Sequence, residues 1–496
     1  MPAYIITRLP RSGSLLSSFS VCFETYSRAC FQIREDGLKG GMVRARSIPR
    51  SFLQPSLSFT LAIAMALILW IAGGASRGDL MGQVIVRAGS WIILIIAIIA
   101  GPRPAFQTVK PILLLLGAAI ALPLIQLIPL PPSWWQGLPA RKILLIPGEP
   151  IPWRPWTMTP GATRNALSSL IVPATILILM TQADERARRG MLALLLGMVG
   201  TAVLLGLLQF SGALFDNPFI NETPGAVSSI FANRNHFGLF LAIGCLLAPV
   251  WAFMAPDALR WRGILAVGLL LLFILTALAT GSRAGTLLAG LALVLASLLV
   301  GKRVRRRLRG SPPWLLPAIG IATIALIGGF IMLSFAADRA DAINRIIVLN
   351  AGEDLRARAR PTVLSMIALY MPFGSGFGGF DPVFRIHEPF ELLKLTYFNE
   401  AHNDFLGIAL DGGVFGIAAL TSGILWWMIA TIRVWRMKSD DDVLLGRLGS
   451  SIILLILAAS LTDYPARTPT IMAVLVIAGV WLARASSARS QPTLPS

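Results

Sequence analysis

The sequence predicts an all-α protein that crosses a membrane about twelve times, and three observations carry that prediction. Of its 496 residues 55% are hydrophobic and only 14% charged, which is more apolar surface than a soluble core could bury. Apolar stretches recur along nearly the whole chain at lengths near the roughly 20 residues that span a bilayer as helix. These stretches, such as LAIAMALILWIAGG and WIILIIAIIA, are apolar on every side. A transmembrane barrel would instead alternate over segments of roughly 10 residues, so an outer-membrane porin is excluded.

In chain order the expected spans fall near residues 56–73, 84–100, 111–130, 164–181, 190–210, 236–254, 262–280, 284–301, 314–336, 403–432, 449–463 and 469–484. The strongest orientation signal is the basic run Lys302, Arg303, Arg305, Arg306, Arg307 and Arg309, which the positive-inside rule places in the cytoplasm with Arg433, Arg436 and Lys438. Alternation from that anchor also puts DERARRG, PDALRWR and both termini inside. On the opposite face it puts PPSWWQG with its following loop, FANRNH, GSRAG and a long periplasmic loop over 337–402. The chain then divides into a basic cytoplasmic tail (1–54), N-terminal helices (55–200), a second transmembrane region with the long loop (201–484) and a cytoplasmic tail (485–496).

The net charge of +19 lies in short clusters between apolar spans, which reads as topology signalling and not as a nucleic-acid face. Cys22, Cys30 and Cys245 form no CxxC pair, so neither a disulfide framework nor a zinc site is expected. The first 50 residues are Ser/Arg-rich without a compact apolar segment and cleavage site, so no signal peptide is expected. Met42 offers a second start that leaves the short basic tail MVRARSIPR. Trp134, Trp135, Trp153 and Trp156 are expected as interfacial anchors.

The long loop exceeds what a plain connector needs, so it is expected to be functional and to hold helix of its own. Its GSGFGGF run does not follow a soluble βα unit, which argues against a dinucleotide cradle. Gly374, Gly376, Gly378 and Gly379 are expected to let the backbone turn tightly, or approach a ligand closely.

Polar residues gather on the outward face. His402 opens a span beside Asn403 and Asp404, and an ionisable group at a helix mouth costs free energy unless solvated or paired. Arg283, after Ser282 in the polar break TGSRAG, needs an anionic partner, and its planar fork suits a diphosphate. Arg356, Arg358 and Arg360 alternate, a spacing that spreads them around a helix axis. Asn233, Arg234, Asn235 and His236 cluster at another span's mouth, where helix capping is the simplest role. Asp463, followed by Tyr464, Pro465, Arg467 and Pro469, sits in a short outward loop whose prolines stop the eleventh helix. Asp463 reads as a partner to one of these groups.

Taken in order, FANRNHFG, TGSRAG, the arginine segment before PFGSGFGGF, AHNDFLGIALDGGVFG and TDYPARTP resemble the O-antigen ligase and O-antigen polymerase-like family of bacterial membrane proteins, over roughly residues 200 to 470. The resemblance implies a multi-helix, GT-C-like glycosyltransferase architecture with a periplasmic active site. It implies transfer of a glycan from undecaprenyl diphosphate to an acceptor such as lipid A core or another glycan, within the inner membrane and without nucleic acid. By position, Arg283 matches the family's arginine after the serine, His402 its functional histidine, and Arg356 or Arg358 its loop arginine, with His402, Arg283 and Arg356 expected as the catalytic set. Arg358, Arg360, Asn233, Arg234, Asn235, His236, Ser282, Asn403 and Asp463 are the expected substrate-binding residues. Neither a metal nor a cofactor is expected, because two arginines could absorb the charge on the leaving diphosphate.

Three alternatives stay open. A polymerase would join repeat units of O-antigen or exopolysaccharide, and a related enzyme would glycosylate a protein. A transporter of lipid-linked glycan would carry ionisable residues near mid-bilayer in two matching halves, whereas here the polar residues cluster at one face.

Overall fold

A computed structural model describes residues 55–212, 217–221, 225–255, 258–307, 312, 314, 355–393 and 398–487. The N-terminal tail with Cys22 and Cys30, the expected ninth span after Trp314, the front of the long loop and the last nine residues lie outside the described residues. The chain separates into two units at Gln54 and Pro55, and everything below concerns the second.

The described chain is almost wholly helical. Its helices of eight or more residues are α1 (Leu57–Ala72), α2 (Met81–Ala100), α3 (Lys110–Gln126), α4 (Pro160–Ser169), α5 (Ile171–Gln182), α6 (Glu185–Phe210), α7 (Arg234–Phe253), α8 (Leu259–Ala279), α9 (Arg283–Arg307), α10 (Leu355–Tyr370), α11 (Phe380–His387), α12 (Asp404–Arg436), α13 (Asp441–Ser460) and α14 (Pro469–Ser487). Among the described residues ten helical segments are long and apolar enough to cross a membrane, with α4 and α5 counted as one, and α1 is a shorter apolar helix. One small sheet pairs Pro129–Leu130 antiparallel with Arg154–Pro155.

Helix α7 is the most enclosed of the ten and packs on α8, α9, α6 and α13. In lipid the driving force for such packing is close van der Waals contact, which small residues permit. Gly238 on α7 and Gly285 on α9 show it: a Cβ on Gly238 would stand 2.7 Å from the Gly285 Cα. That contact brings the mouths of α7 and α9 side by side.

Helix α13 begins at Asp441, earlier than the expected 449. Its acidic start reads as loop, yet Asp440 caps the helix by accepting from Val443 N at 2.8 Å, and Asp441 and Asp442 fill the first turn, where negative charge complements the helix dipole. The prolines do not stop α13. It ends at Ser460, ahead of Pro465, which begins a single 3-10 turn, while Pro469 opens α14.

The glycine run turns as expected, but what it approaches is the chain itself. Gly374, Gly376 and Gly378 adopt φ of 78°, 109° and 78°, a region other residues rarely enter, whereas Gly379 has φ −88°. They insert where α12 is broken at Gly413 (φ 56°). The freed backbone groups are taken up across the break: Ser375 N donates to Leu410 O at 2.9 Å, Gly376 N to Asp411 O at 3.0 Å and Val414 N to Pro372 O at 2.9 Å. Gln126 closes the joint, donating to Asp411 O and accepting from Phe377 N, both at 2.9 Å. A helix interrupted in a membrane protein is tolerated when neighbouring groups satisfy its backbone in this way.

Two of the four tryptophans are packed against the protein. Trp135 is 1% exposed and donates to Pro155 O at 3.1 Å. Trp156 donates to Phe373 O at 3.2 Å and meets Phe373 and Phe415 edge-on. The described part of the long loop has its own core, in which Val363, Met366, Tyr370, Phe380, Val383 and Phe384 bury together.

Candidate functional site

Two ionic clusters lie side by side at the end of the bundle where α7, α9, α12 and α14 begin. The first is centred on Asp463, which is 1% exposed. Asn233 and Asn235 donate to its Oδ2 at 2.9 and 2.6 Å, and its own neighbour Tyr464 N donates to Oδ1 at 3.0 Å. His402 Nδ1 stands 3.4 Å from Oδ1 and His236 Nε2 3.8 Å from it. Arg356 Nη2 lies 3.8 Å from Oδ2 while its Nη1 donates to Thr462 O at 3.1 Å. Burial alone raises a carboxyl's pKa, but the two imidazoles and the Arg356 guanidinium that face Asp463 outweigh it, holding the carboxyl well below its ordinary value.

Local sequence explains each position. Asn233 caps α7, its Oδ1 accepting from Asn235 N at 2.9 Å, which leaves its amide free for Asp463. Ser282 Oγ donates to Asn235 Oδ1 at 2.7 Å and accepts from Gly285 N at 2.9 Å, so it ties the start of α9 to the cluster. Arg283 is the next residue, the first of α9, and is exposed. His236 is anchored from behind by Thr468, whose hydroxyl meets its Nδ1 at 3.0 Å. His402 has φ 49°, strained for a residue with a Cβ; Asn403 fixes that backbone by capping α12 and donating to Leu461 O at 2.8 Å. The Tyr464 ring packs edge-on against both imidazoles, at 5.1 Å from His402 and 5.3 Å from His236.

The structure therefore brings His402, His236, Asn233, Asn235, Ser282, Asp463 and Arg356 together. Of the alternating arginines only Arg356 joins them; Arg358 donates to Glu391 O at 3.1 Å and Arg360 is exposed. Arg234 follows the cap residue and is half-buried.

The second cluster was not legible in the sequence. Arg467 Nη1 lies 2.6 Å from Glu400 Oε2, its Nη2 3.4 Å from Asp411 Oδ2 and its Nε 3.7 Å from Asp404 Oδ1. Asp404 is further held by Ser460 Oγ at 2.8 Å and Ala466 N at 3.2 Å. Burial pushes the Glu400 carboxyl up to about 7 against the pull of Arg467. Asp404 and Asp411 are seven apart, two turns of one helix face, but nothing in a single sequence pairs them with Arg467. Asn399 joins the two clusters by donating to the Tyr464 hydroxyl at 3.1 Å. Among the described residues no group of three or more His, Cys, Asp and Glu is arranged to hold a metal ion.

Residues 267–421 match the family model described as O-antigen ligase, a narrower stretch than the ordered motifs cover. It runs from α8 into α12 and so contains Arg283, Arg356 and His402, while Asn233, His236 and Asp463 reach the site through the fold. The match supports a place for this chain in the O-antigen ligase-like family, which implies glycosyltransferase-like enzyme activity in a multi-pass membrane protein. No curated protein matches the chain.

Proposed function

We propose that this member of the O-antigen ligase-like family moves a glycan from undecaprenyl diphosphate to an acceptor sugar at the periplasmic face of the bacterial inner membrane. The observation that carries the reading is the pairing of His402 with the buried Asp463 carboxylate at 3.4 Å, with Arg356 beside it. A carboxylate facing Nδ1 favours the proton there and leaves Nε2 to act as a base. In that mechanism His402 takes the proton from an acceptor hydroxyl as its oxygen bonds to the anomeric carbon. The bond from that carbon to the diphosphate oxygen breaks on the opposite side, which inverts the anomeric configuration. Arg283 and Arg356 hold the diphosphate and absorb the charge that builds on it, a task fixed cationic donors perform without a divalent metal. Asn233, Asn235, His236 and Ser282 act on the reaction through Asp463, and Arg234, Asn403, Arg358 and Arg360 are proposed to border the bound substrate.

The same chemistry serves a ligase that caps lipid A core and a polymerase that joins repeat units. The test is glycan transfer by purified protein from undecaprenyl-diphosphate oligosaccharide to candidate acceptors, with chelator present, comparing wild type with His402→Ala and Arg283→Ala. Transfer that survives chelation and collapses in both folded variants supports the mechanism, and the acceptor used separates ligase from polymerase. Undiminished transfer by His402→Ala overturns it.

A further inference from the structure

The Asp463 carboxylate is crowded. Its two oxygens offer about four acceptor places, two on each. The Asn233 and Asn235 amides take those on Oδ2, and Tyr464 N takes one on Oδ1. About one place on Oδ1 is left, and two imidazoles face it, His402 Nδ1 at 3.4 Å and His236 Nε2 at 3.8 Å. Both nitrogens are buried without a hydrogen-bond partner. Which of them takes the place matters, because a carboxylate partner is what fixes the tautomer of an imidazole.

Tyr464 bears on both candidates. It follows Asp463 in the chain, so its own N–H ties it to the carboxylate, and it is 7% exposed. Its ring meets His402 at 5.1 Å, inclined by 60°, and His236 at 5.3 Å, inclined by 90°. Asn399 steadies the ring from its far end, donating to the phenol oxygen at 3.1 Å. Otherwise the two imidazoles are held unequally. His236 is tied through its Nδ1 to the Thr468 hydroxyl at 3.0 Å, whereas the His402 ring rests on Tyr464 and, at 6.1 Å, on Phe398. His402 also stands on a backbone with φ 49°, a conformation that persists only where the surroundings enforce it.

We propose that Tyr464 is a positioning residue: its ring holds His402 with Nδ1 toward Asp463 and keeps His236 at the longer distance, so that the last place on the carboxylate goes to His402. The ring acts by its shape, and its hydroxyl is secondary. That His402 serves as a base rests on the transferase reading; the alignment of its imidazole does not.

The experiment uses the full chain in detergent, isotopically labelled in its histidine ring nitrogens. The sequence has three histidines, so the nitrogen spectrum is simple, and His402→Gln identifies the signals of His402. Wild type is expected to show His402 as a single tautomer with the proton on Nδ1. Tyr464→Leu is expected to mix the tautomers and to lower kcat for glycan transfer roughly 10–10²-fold, the scale of a misplaced catalytic group, with KM little changed. Tyr464→Met, whose flexible chain fills the space without a flat ring, makes the same comparison if Tyr464→Leu does not fold. Tyr464→Phe keeps the ring and is expected to keep the wild-type tautomer and most of the rate. Loss of packing alone would lower the unfolding midpoint and leave the His402 signals in place. A wild-type His402 spectrum from the folded Leu or Met variant overturns the proposal, as does a Phe variant impaired as deeply as they are. The spectrum needs no turnover, so a protein that transfers glycan to no acceptor overturns the transferase reading and leaves the alignment test standing.

Discussion

The two clusters are near mirror images in charge and opposite in design. Around Asp463 one carboxylate receives two asparagine amides, a backbone N–H, two imidazoles and a guanidinium, all drawn from α7, α10, the mouth of α12 and its own loop. Around Arg467 one guanidinium neutralises three carboxylates, and two of those belong to the single helix α12. A buried anion with many donors holds groups in position without consuming them, which suits a site that must keep an imidazole aligned. A half-buried cation with an excess of carboxylates braces α12 at the turn leading to its break. The difference teaches that the same two motifs, AHNDFLGIALDGGVFG and TDYPARTP, feed two charge networks, one aligning an imidazole and the other joining α12 to the loop before α14.

The sharpest way to break the comparison is to remove the cation. Arg467→Met leaves three carboxylates without their partner, and removing one member of a buried ionic set costs about 3–5 kcal/mol; thermal unfolding in detergent is expected to show a large loss, with Arg467→Lys recovering part of it. Next, Arg356→Ala is expected to lower transfer roughly 10²–10³-fold, as loss of a preorganised charge donor does, with unfolding little changed. Arg358→Ala, on the same helix but bonded to Glu391 O, is the control, expected to change stability by less than about 1 kcal/mol and to lower transfer less than Arg356→Ala.

A smaller effect sharpens the contrast through pH. The folded state raises the Glu400 carboxyl from 4.5 to about 7, so between those values it binds the proton more firmly than the unfolded chain, and stability falls as pH rises. Glu400→Gln is expected to flatten that slope in unfolding midpoints across the window. Asp463 acts with the opposite sign: its carboxyl is held low, so its contribution is present above the ordinary carboxylate value near ~4 and is lost as pH falls below it.

Much of this was legible in the sequence. The membrane class and most spans follow from apolar run length, and the gathering of His402, Asn233 and His236 at one end of the bundle follows from their places at span mouths. The alternation of Arg356, Arg358 and Arg360 already implied that they diverge on a helix, and they do. What was not legible depends on contacts far apart in the chain. Gln126 meets Asp411 across 285 positions, and Arg467 meets Asp411 across 56 positions, with most of α12 and all of α13 between them. Asp463 was expected as a supporting partner and proves to be the centre of its cluster, because burial and the convergence of donors cannot be read from a loop of ordinary composition. The start of α13 was misplaced because three aspartates read as solvent-exposed loop until one of them is seen capping the helix.

The measurement that tests the central claim most directly is the transfer rate per folded molecule of Asp463→Asn. This change keeps the side chain's shape and removes the charge facing His402 and Arg356. The account predicts a loss of roughly 10²–10⁴-fold, the scale of a disabled acid–base group, beside a lowered unfolding midpoint near neutral pH, because both Asp463 oxygens accept hydrogen bonds that Asn cannot all take. A rate equal to wild type from folded protein would contradict it and would return Asp463, like Arg467, to a purely architectural role.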